Sequence, residues 1–147
     1  MEYLIGLGLA LARPDREVIC FNGDGCMLMS LGCLVTIAAS GARNLSLVVL
    51  ENGLYEVTGG QTTAGAVAGV DFARMALAAG FASAAQFDEL AAWRREASAT
   101  LQTPGPRFIS LSVEPVGADY LLPPPAMQAQ IERFCAALAE DNRRHGH

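Results

Sequence analysis

Two short polar segments of this chain contain residue types that bind a hard divalent cation. The first is Gly23-Asp24-Gly25, just after an apolar run, and the second is Asn52-Gly53, just after the apolar run 45–50. Apolar runs of this kind are typical of buried strands in parallel sheets, and the carboxyl ends of such strands meet at one edge. Carboxylate and amide oxygens are ligands that suit Mg²⁺. We therefore expect Asp24 and Asn52 to form a magnesium site at one sheet edge.

The two side chains alone do not complete an octahedral magnesium site. Gly53 permits a tight bend, after which the carbonyl of Leu54 can point back toward the same ion. Mg²⁺ usually binds through few protein ligands together with phosphate oxygens and water. The backbone N–H groups of Gly25 and Cys26 are also suited to phosphate oxygens. The pattern predicts a bound diphosphate, although Gly-Asp-Gly by itself also occurs in ordinary turns.

The elements that position these segments alternate between helices and strands. We expect helices over residues 3–12, 30–41, 71–80, 87–102 and 127–138, and strands over 17–21, 45–50, 81–83 and 108–113. This alternation predicts an α/β fold, a three-layer α/β/α sandwich with a mainly parallel sheet. Residues 52–69 show no clear period, so we predict a long loop with at most one turn, and such loops are usually functional.

Composition limits the classes of function. The chain has 147 residues, of which 52% are hydrophobic, which fits one domain over 1–147. Its net charge of −5 and the lack of a basic stripe argue against nucleic-acid and membrane partners. Four cysteines match no zinc pattern and indicate a reducing, cytoplasmic compartment. Met1 precedes a helical pattern directly, so we expect a truncated N-terminus.

The first helix contains Gly6 and Gly8 among alanines and leucines. Each glycine costs a helix about 1 kcal/mol relative to alanine, so we expect close packing against another backbone. The apolar surface of this helix fits either the core or an interface with another subunit.

The two segments together resemble a known motif. Gly23-Asp24-Gly25, a 25-residue spacer and Glu51-Asn52 resemble the thiamin-diphosphate-binding motif of thiamin-dependent enzymes. The order of elements resembles the diphosphate-binding domain of that family over nearly the whole chain. The resemblance implies thiamin diphosphate and Mg²⁺ as cofactors.

The segment 52–62, Asn-Gly-Leu-Tyr-Glu-Val-Thr-Gly-Gly-Gln-Thr, is similar to the loop of phosphonopyruvate and sulfopyruvate decarboxylases. In that group the second domain can be a separate small subunit. The resemblance implies that the metal ligands are Asp24, Asn52 and the carbonyl of Leu54. It implies that the cofactor contacts Gly23, Asp24, Gly25, Cys26, Asn52, Leu54, Tyr55 and Thr58.

The chain departs from the family pattern at two positions. Glu51 replaces the first Asn of a pair, but the second Asn, the metal ligand, is kept as Asn52. Cys33 stands where many relatives have Glu, which affects local packing and leaves the metal site intact. We expect Cys26 to be a small residue lining the phosphate rather than a nucleophile.

The resemblance implies that the chain is incomplete as a catalyst. In the family, a Glu on a pyrimidine-binding domain starts the chemistry on the cofactor ring, and no residue here can be assigned that catalytic role. We expect a pyrimidine-binding partner in a homo- or hetero-oligomer. The complete enzyme is expected to be a decarboxylase (lyase) that acts on a small 2-oxoacid with an anionic tail. The isolated chain is expected to be inactive.

Other interpretations remain open at this stage. A carboligase of the acetolactate-synthase type would use the same site, and a non-catalytic module could keep the fold without the cofactor. Aspartate-nucleophile phosphatases also contain Gly-Asp-Gly, but they carry an Asp-x-Asp that this sequence lacks. A dinucleotide-binding turn would need a third glycine where Leu28 stands.

Overall fold

The computed structural model describes residues 2–117 and 126–145. The helices are α1 (Glu2–Ala12), α2 (Asp24–Leu28), α3 (Gly32–Ser40), α4 (Ala64–Ala68), α5 (Phe72–Ala79), α6 (Leu90–Leu101) and α7 (Met127–His145). The strands are β1 (Val18–Gly23), β2 (Leu45–Glu51), β3 (Leu54–Tyr55), β4 (Gln61–Thr62), β5 (Ser83–Phe87) and β6 (Arg107–Ser112).

Four of these strands form one parallel sheet in the order β1-β2-β6-β5. The predicted α/β fold with a mainly parallel sheet is confirmed. Gly23 at the end of β1 lies opposite Leu50 in the neighbouring β2. The segments that follow these two strands therefore begin at the same edge of the sheet, as the sequence predicts.

Helices cover the two faces of this sheet. On one face, α1, α3 and α5 pack on strand residues such as Leu47 and Phe108 to form the larger core. On the other face, α6 packs on β5 and β6, where Phe87 contacts Trp93 edge-on with ring centroids 5.3 Å apart. Both faces need cover because the central strands are apolar on both sides.

The long loop predicted for residues 52–69 is more structured than expected. It contains the antiparallel pair β3–β4, a 3₁₀ turn (Glu56–Thr58) and helix α4. Two-residue strands and one five-residue helix are too short to produce a readable period, which is why the sequence pattern misses them.

The boundaries predicted around β5 are wrong. The expected short strand over 81–83 lies at Ser83–Phe87, and the helix expected from Phe87 begins at Leu90. Alanine and glutamine favour helix over strand in isolation. Here the parallel pairing of β5 with β6 determines the backbone conformation.

The region after the first motif also differs from the prediction. Asp24 is the first residue of helix α2, and the helix expected from residue 30 begins at Gly32, with Leu31 as its N-terminal flanking residue. Gly41 ends α3 in the left-handed conformation, with φ of 70°, which agrees with the predicted end of this helix at residue 41.

The chain divides into two compact units, residues 1–115 and 116–147. The first contains the sheet, and the second contains α7, whose predicted start at Met127 agrees with the structure. Residues 118–125 lie outside the described residues, and a single domain over 1–147 stays a prediction. Within the described ranges, no helix combines the length and the apolar character needed to cross a membrane.

Candidate functional site

Asp24 is a buried carboxylate at the end of the sheet. Its residue is only 3% exposed, and it occupies the first turn of α2, where the helix dipole favours a negative charge. Among the described residues it forms no ion pair with Arg, Lys or His. Because buried charges are normally paired or bound to a metal, this carboxylate is suited to a cation.

Thr63 fixes the orientation of that carboxylate. It is fully buried, and its hydroxyl donates a hydrogen bond to Asp24 Oδ2 over 2.9 Å. The hydroxyl oxygen of Thr63 also accepts the backbone N–H of Ala66 at 3.2 Å and so caps α4. The side chain of Thr63 thus joins the start of α2 to the start of α4.

Asn52 is held in a turn just after β2. Its Oδ1 accepts the N–H of Leu54 at 2.9 Å, and its Nδ2 donates to Glu56 Oε2 at 2.7 Å. A carbonyl oxygen has two lone pairs, so Oδ1 can still bind a cation. Gly53, at φ of 72°, takes the left-handed conformation that the tight bend requires.

The two turns are connected through Thr63. Its backbone N–H donates to the carbonyl of Gly53 at 2.8 Å, while its hydroxyl holds Asp24. Thr63 therefore bonds Asp24 directly and also bonds Gly53, the residue between the predicted ligands Asn52 and Leu54.

Gly25 allows a close approach that another residue would block. A Cβ at this position would lie 2.6 Å from Cδ1 of Tyr55, so the tyrosine ring packs directly on the glycine backbone. Tyr55 is one of the residues predicted to contact the cofactor. Thr58, also predicted to contact the cofactor, is exposed, and its hydroxyl donates to the carbonyl of Tyr55 at 3.5 Å. Cys26 is exposed as well.

Glu51 adds a second carboxylate to the same edge. The hydroxyl of Ser110 donates to its Oε1. Burial raises the pKa of the Glu51 carboxyl, the charges of Asp24 and Asp71 raise it further, and the bond from Ser110 opposes both. The position where the family pattern has Asn therefore brings negative charge close to Asp24.

A cavity of about 240 Å³ opens at this edge, lined by Asp24, Glu51, Gly53 and Ser112 together with residues of α4 and α5. As far as the described residues show, its lining contains two carboxylates and no Lys, Arg or His. An anionic ligand alone would be repelled here, whereas a cation would be attracted.

The described residues contain no cluster of three or more His, Cys, Asp or Glu that could hold a metal. The donors present fit an ion that takes one carboxylate, an amide oxygen, a backbone carbonyl and phosphate oxygens.

Sequence reasoning missed two residues of this site, Thr63 and Glu56. Thr63 precedes a run of small residues, which is a weak capping signal. Its bond to Asp24 joins residues far apart in the chain, and no local pattern reveals such a contact.

A family model described as "Thiamine pyrophosphate enzyme, C-terminal TPP binding domain" matches residues 3–111. Phosphonopyruvate decarboxylase of Streptomyces viridochromogenes is 36% identical over 88% of this chain, which covers 32% of that protein. Sulfopyruvate decarboxylase subunit beta of Methanothermobacter thermautotrophicus is 38% identical over 91% of this chain, which covers 68% of that subunit.

The fold is also similar to a solved structure from Mycobacterium smegmatis that carries a provisional description as a thiamin diphosphate-dependent enzyme. The TM-score is 0.60 at 26% identity, over 74% of this chain and 20% of that one. The chain thus spans about a third of the phosphonopyruvate decarboxylase and two thirds of the sulfopyruvate decarboxylase subunit that it matches.

Proposed function

We propose, because the chain belongs to the family of C-terminal thiamine pyrophosphate (thiamin diphosphate) binding domains of thiamine pyrophosphate enzymes, that it anchors the diphosphate of this cofactor through a magnesium ion. Asp24, Asn52 and the carbonyl of Leu54 would hold the ion. The residues proposed to contact the cofactor are Gly23, Asp24, Gly25, Cys26, Asn52, Leu54, Tyr55 and Thr58.

The observation that carries the proposal is the charge of the cavity at this edge. Asp24 and Glu51 line it without a basic residue among its described lining. A diphosphate is strongly anionic, so it needs a bound cation to enter such a site. Asp24 would hold a magnesium ion, which would supply that positive charge.

We further propose that the chain is one part of a 2-oxoacid decarboxylase. When bound, thiamin diphosphate supplies the electron sink for decarboxylation. The chain's own residues bind and orient the diphosphate end, and a pyrimidine-binding partner supplies the groups that act at the ring. The division of the matched archaeal protein into subunits supports such a partner, and the chain alone is expected to be inactive.

The names of the relatives support a substrate class. Phosphonopyruvate and sulfopyruvate are small 2-oxoacids that each carry an additional anionic group, and both decarboxylases match most of this chain. The matches to acetolactate synthases are weaker, at 37% identity over 31% of the chain and 30% over 74%. Decarboxylation is therefore preferred over carboligation. We also propose that the protein is located in the cytoplasm.

The proposal is tested by titrating thiamin diphosphate into the 147-residue chain by calorimetry, with Mg²⁺ and with EDTA. We expect binding only with Mg²⁺, and at least a tenfold loss of affinity for Asp24→Asn because the variant lacks the ligand charge. Asp88→Asn, an exposed carboxylate at the same end of the sheet, is the matched control. Binding of equal strength in EDTA would refute the metal anchor.

A further inference from the structure

Thr63 contacts the proposed metal ligand Asp24 in a way that leaves one carboxylate oxygen engaged and the other available. The hydroxyl donates to Oδ2 at 2.9 Å, and both residues are buried, at 0% and 3% exposure. We propose that Thr63 is a positioning residue that makes Asp24 a one-oxygen ligand and so sets the preference of the site for Mg²⁺ over Ca²⁺. This inference rests on the proposed function.

The two ions use carboxylate ligands differently. Mg²⁺ requires a near-ideal octahedral shell, in which a carboxylate contributes one oxygen, whereas Ca²⁺ accepts both oxygens of a carboxylate in a larger and more flexible shell. The bond from Thr63 partly neutralises Oδ2 of Asp24 and fixes the plane of the carboxylate. Two-oxygen coordination is thereby disfavoured, and the cost falls on Ca²⁺.

The hydroxyl of Thr63 cannot easily turn away from Asp24. Its lone pair accepts the N–H of Ala66 at 3.2 Å, which directs its single proton toward the carboxylate. Its backbone N–H is bonded to the carbonyl of Gly53 at 2.8 Å, next to Asn52. The residue is thus held at three points, and it sets the distance between the two halves of the proposed metal site.

The same contacts separate a selective role from a merely structural one. Loss of the cap on α4 or of the link to Gly53 would weaken the site for every ion alike. Release of Oδ2 would change the ratio between the two ions. The ratio of Mg²⁺ to Ca²⁺ affinity is therefore the informative quantity.

The experiment measures the affinity of the 147-residue chain for Mg²⁺ and for Ca²⁺ by calorimetry, each in excess thiamin diphosphate. Thr63→Val removes the hydroxyl and keeps the shape of the side chain, while Thr63→Ser keeps the hydroxyl. We expect Thr63→Val to lower the Mg²⁺ affinity about tenfold, in the range found when groups that orient a metal ligand are removed. The Ca²⁺ affinity should be nearly unchanged, because the released Oδ2 gives Ca²⁺ a second carboxylate oxygen that offsets the loss common to both ions, and Thr63→Ser should behave as wild type.

Thr62→Val, at the exposed neighbouring position, controls for the loss of a threonine hydroxyl. If Thr63→Val does not give the wild-type circular dichroism spectrum, Thr63→Ala replaces it, since it differs from Thr63→Ser by the hydroxyl alone. An equal loss for both ions, or no change in either, would overturn this inference and leave the diphosphate anchor standing. A wild-type chain that binds no thiamin diphosphate with either ion would overturn both.

Discussion

Two buried or half-buried carboxylates, Asp24 and Glu51, line one cavity and repel each other. A site of this kind costs stability until a cation enters, because like charges in a poorly solvated space are unfavourable. The charges of residues 24 and 51 explain why the proposed ligand is a metal with its diphosphate, and the bond from Thr63 explains how one of them is oriented.

Cys33 offers a test of burial at the residue scale. Desolvation raises the pKa of its thiol from 9.0 to about 11. The folded chain therefore keeps this proton to higher pH than the unfolded chain does. The contribution of the protonated thiol to the free energy of unfolding is fully present below pH 9 and is lost as pH rises toward 11. We expect the urea midpoint of wild type to fall more steeply over this interval than that of Cys33→Ala.

Cys26→Ala, which alters an exposed thiol, serves as the comparison for Cys33→Ala. Contributions from other groups, such as tyrosines, cancel because every variant shares them. Parallel pH profiles for wild type and Cys33→Ala would show that the Cys33 thiol is better solvated than the structure indicates.

At the scale of elements, α1 packs on β1 through Gly6. A Cβ at this position would collide with Sγ of Cys20, whereas one at Gly8 would meet nothing within 4 Å. Close packing is found at Gly6, against the side chain of Cys20 rather than against the backbone that the sequence predicts, and it is absent at Gly8, which is exposed.

These two glycines form a matched pair of substitutions in one helix. Gly8→Ala should stabilise the chain by about 0.5–1 kcal/mol, because alanine is the better helix former. Gly6→Ala should instead destabilise it by about 1–3 kcal/mol through overpacking. Urea denaturation of both variants checks this, and a stabilised Gly6→Ala would contradict the packing of α1 on β1.

How far the sequence predicts these elements depends on how local their signals are. Strand β2 is readable because its apolar run is continuous, and α5 because Asp71 caps it, accepting the N–H of Arg74 at 2.8 Å, and Gly80 ends it. Strand β5 is misplaced because only its pairing with β6 makes it extended. Thr63 is missed for the same reason, since its role arises from contact with Asp24.

At the scale of the whole molecule, the parallel sheet brings the two motifs to one edge, since Gly23 and Leu50 are directly paired. The unit that contains this edge, residues 1–115, holds every residue proposed here to bind metal or cofactor. The chain covers only part of the decarboxylases it resembles. These residues form the proposed cofactor anchor, and the proposed pyrimidine-binding partner would supply the groups that act at the cofactor ring.

The most direct test of the metal-bridged anchor replaces Mg²⁺ with Mn²⁺ and records electron–nuclear double resonance at ³¹P in the chain with thiamin diphosphate. A metal held by the chain and bound to the diphosphate gives a ³¹P-coupled Mn²⁺ spectrum that differs from that of Mn²⁺ with thiamin diphosphate alone, and Asp24→Asn shifts it back toward the spectrum without the chain. A Mn²⁺ spectrum in the presence of chain and cofactor that is identical to that of Mn²⁺ with thiamin diphosphate alone would contradict the anchor.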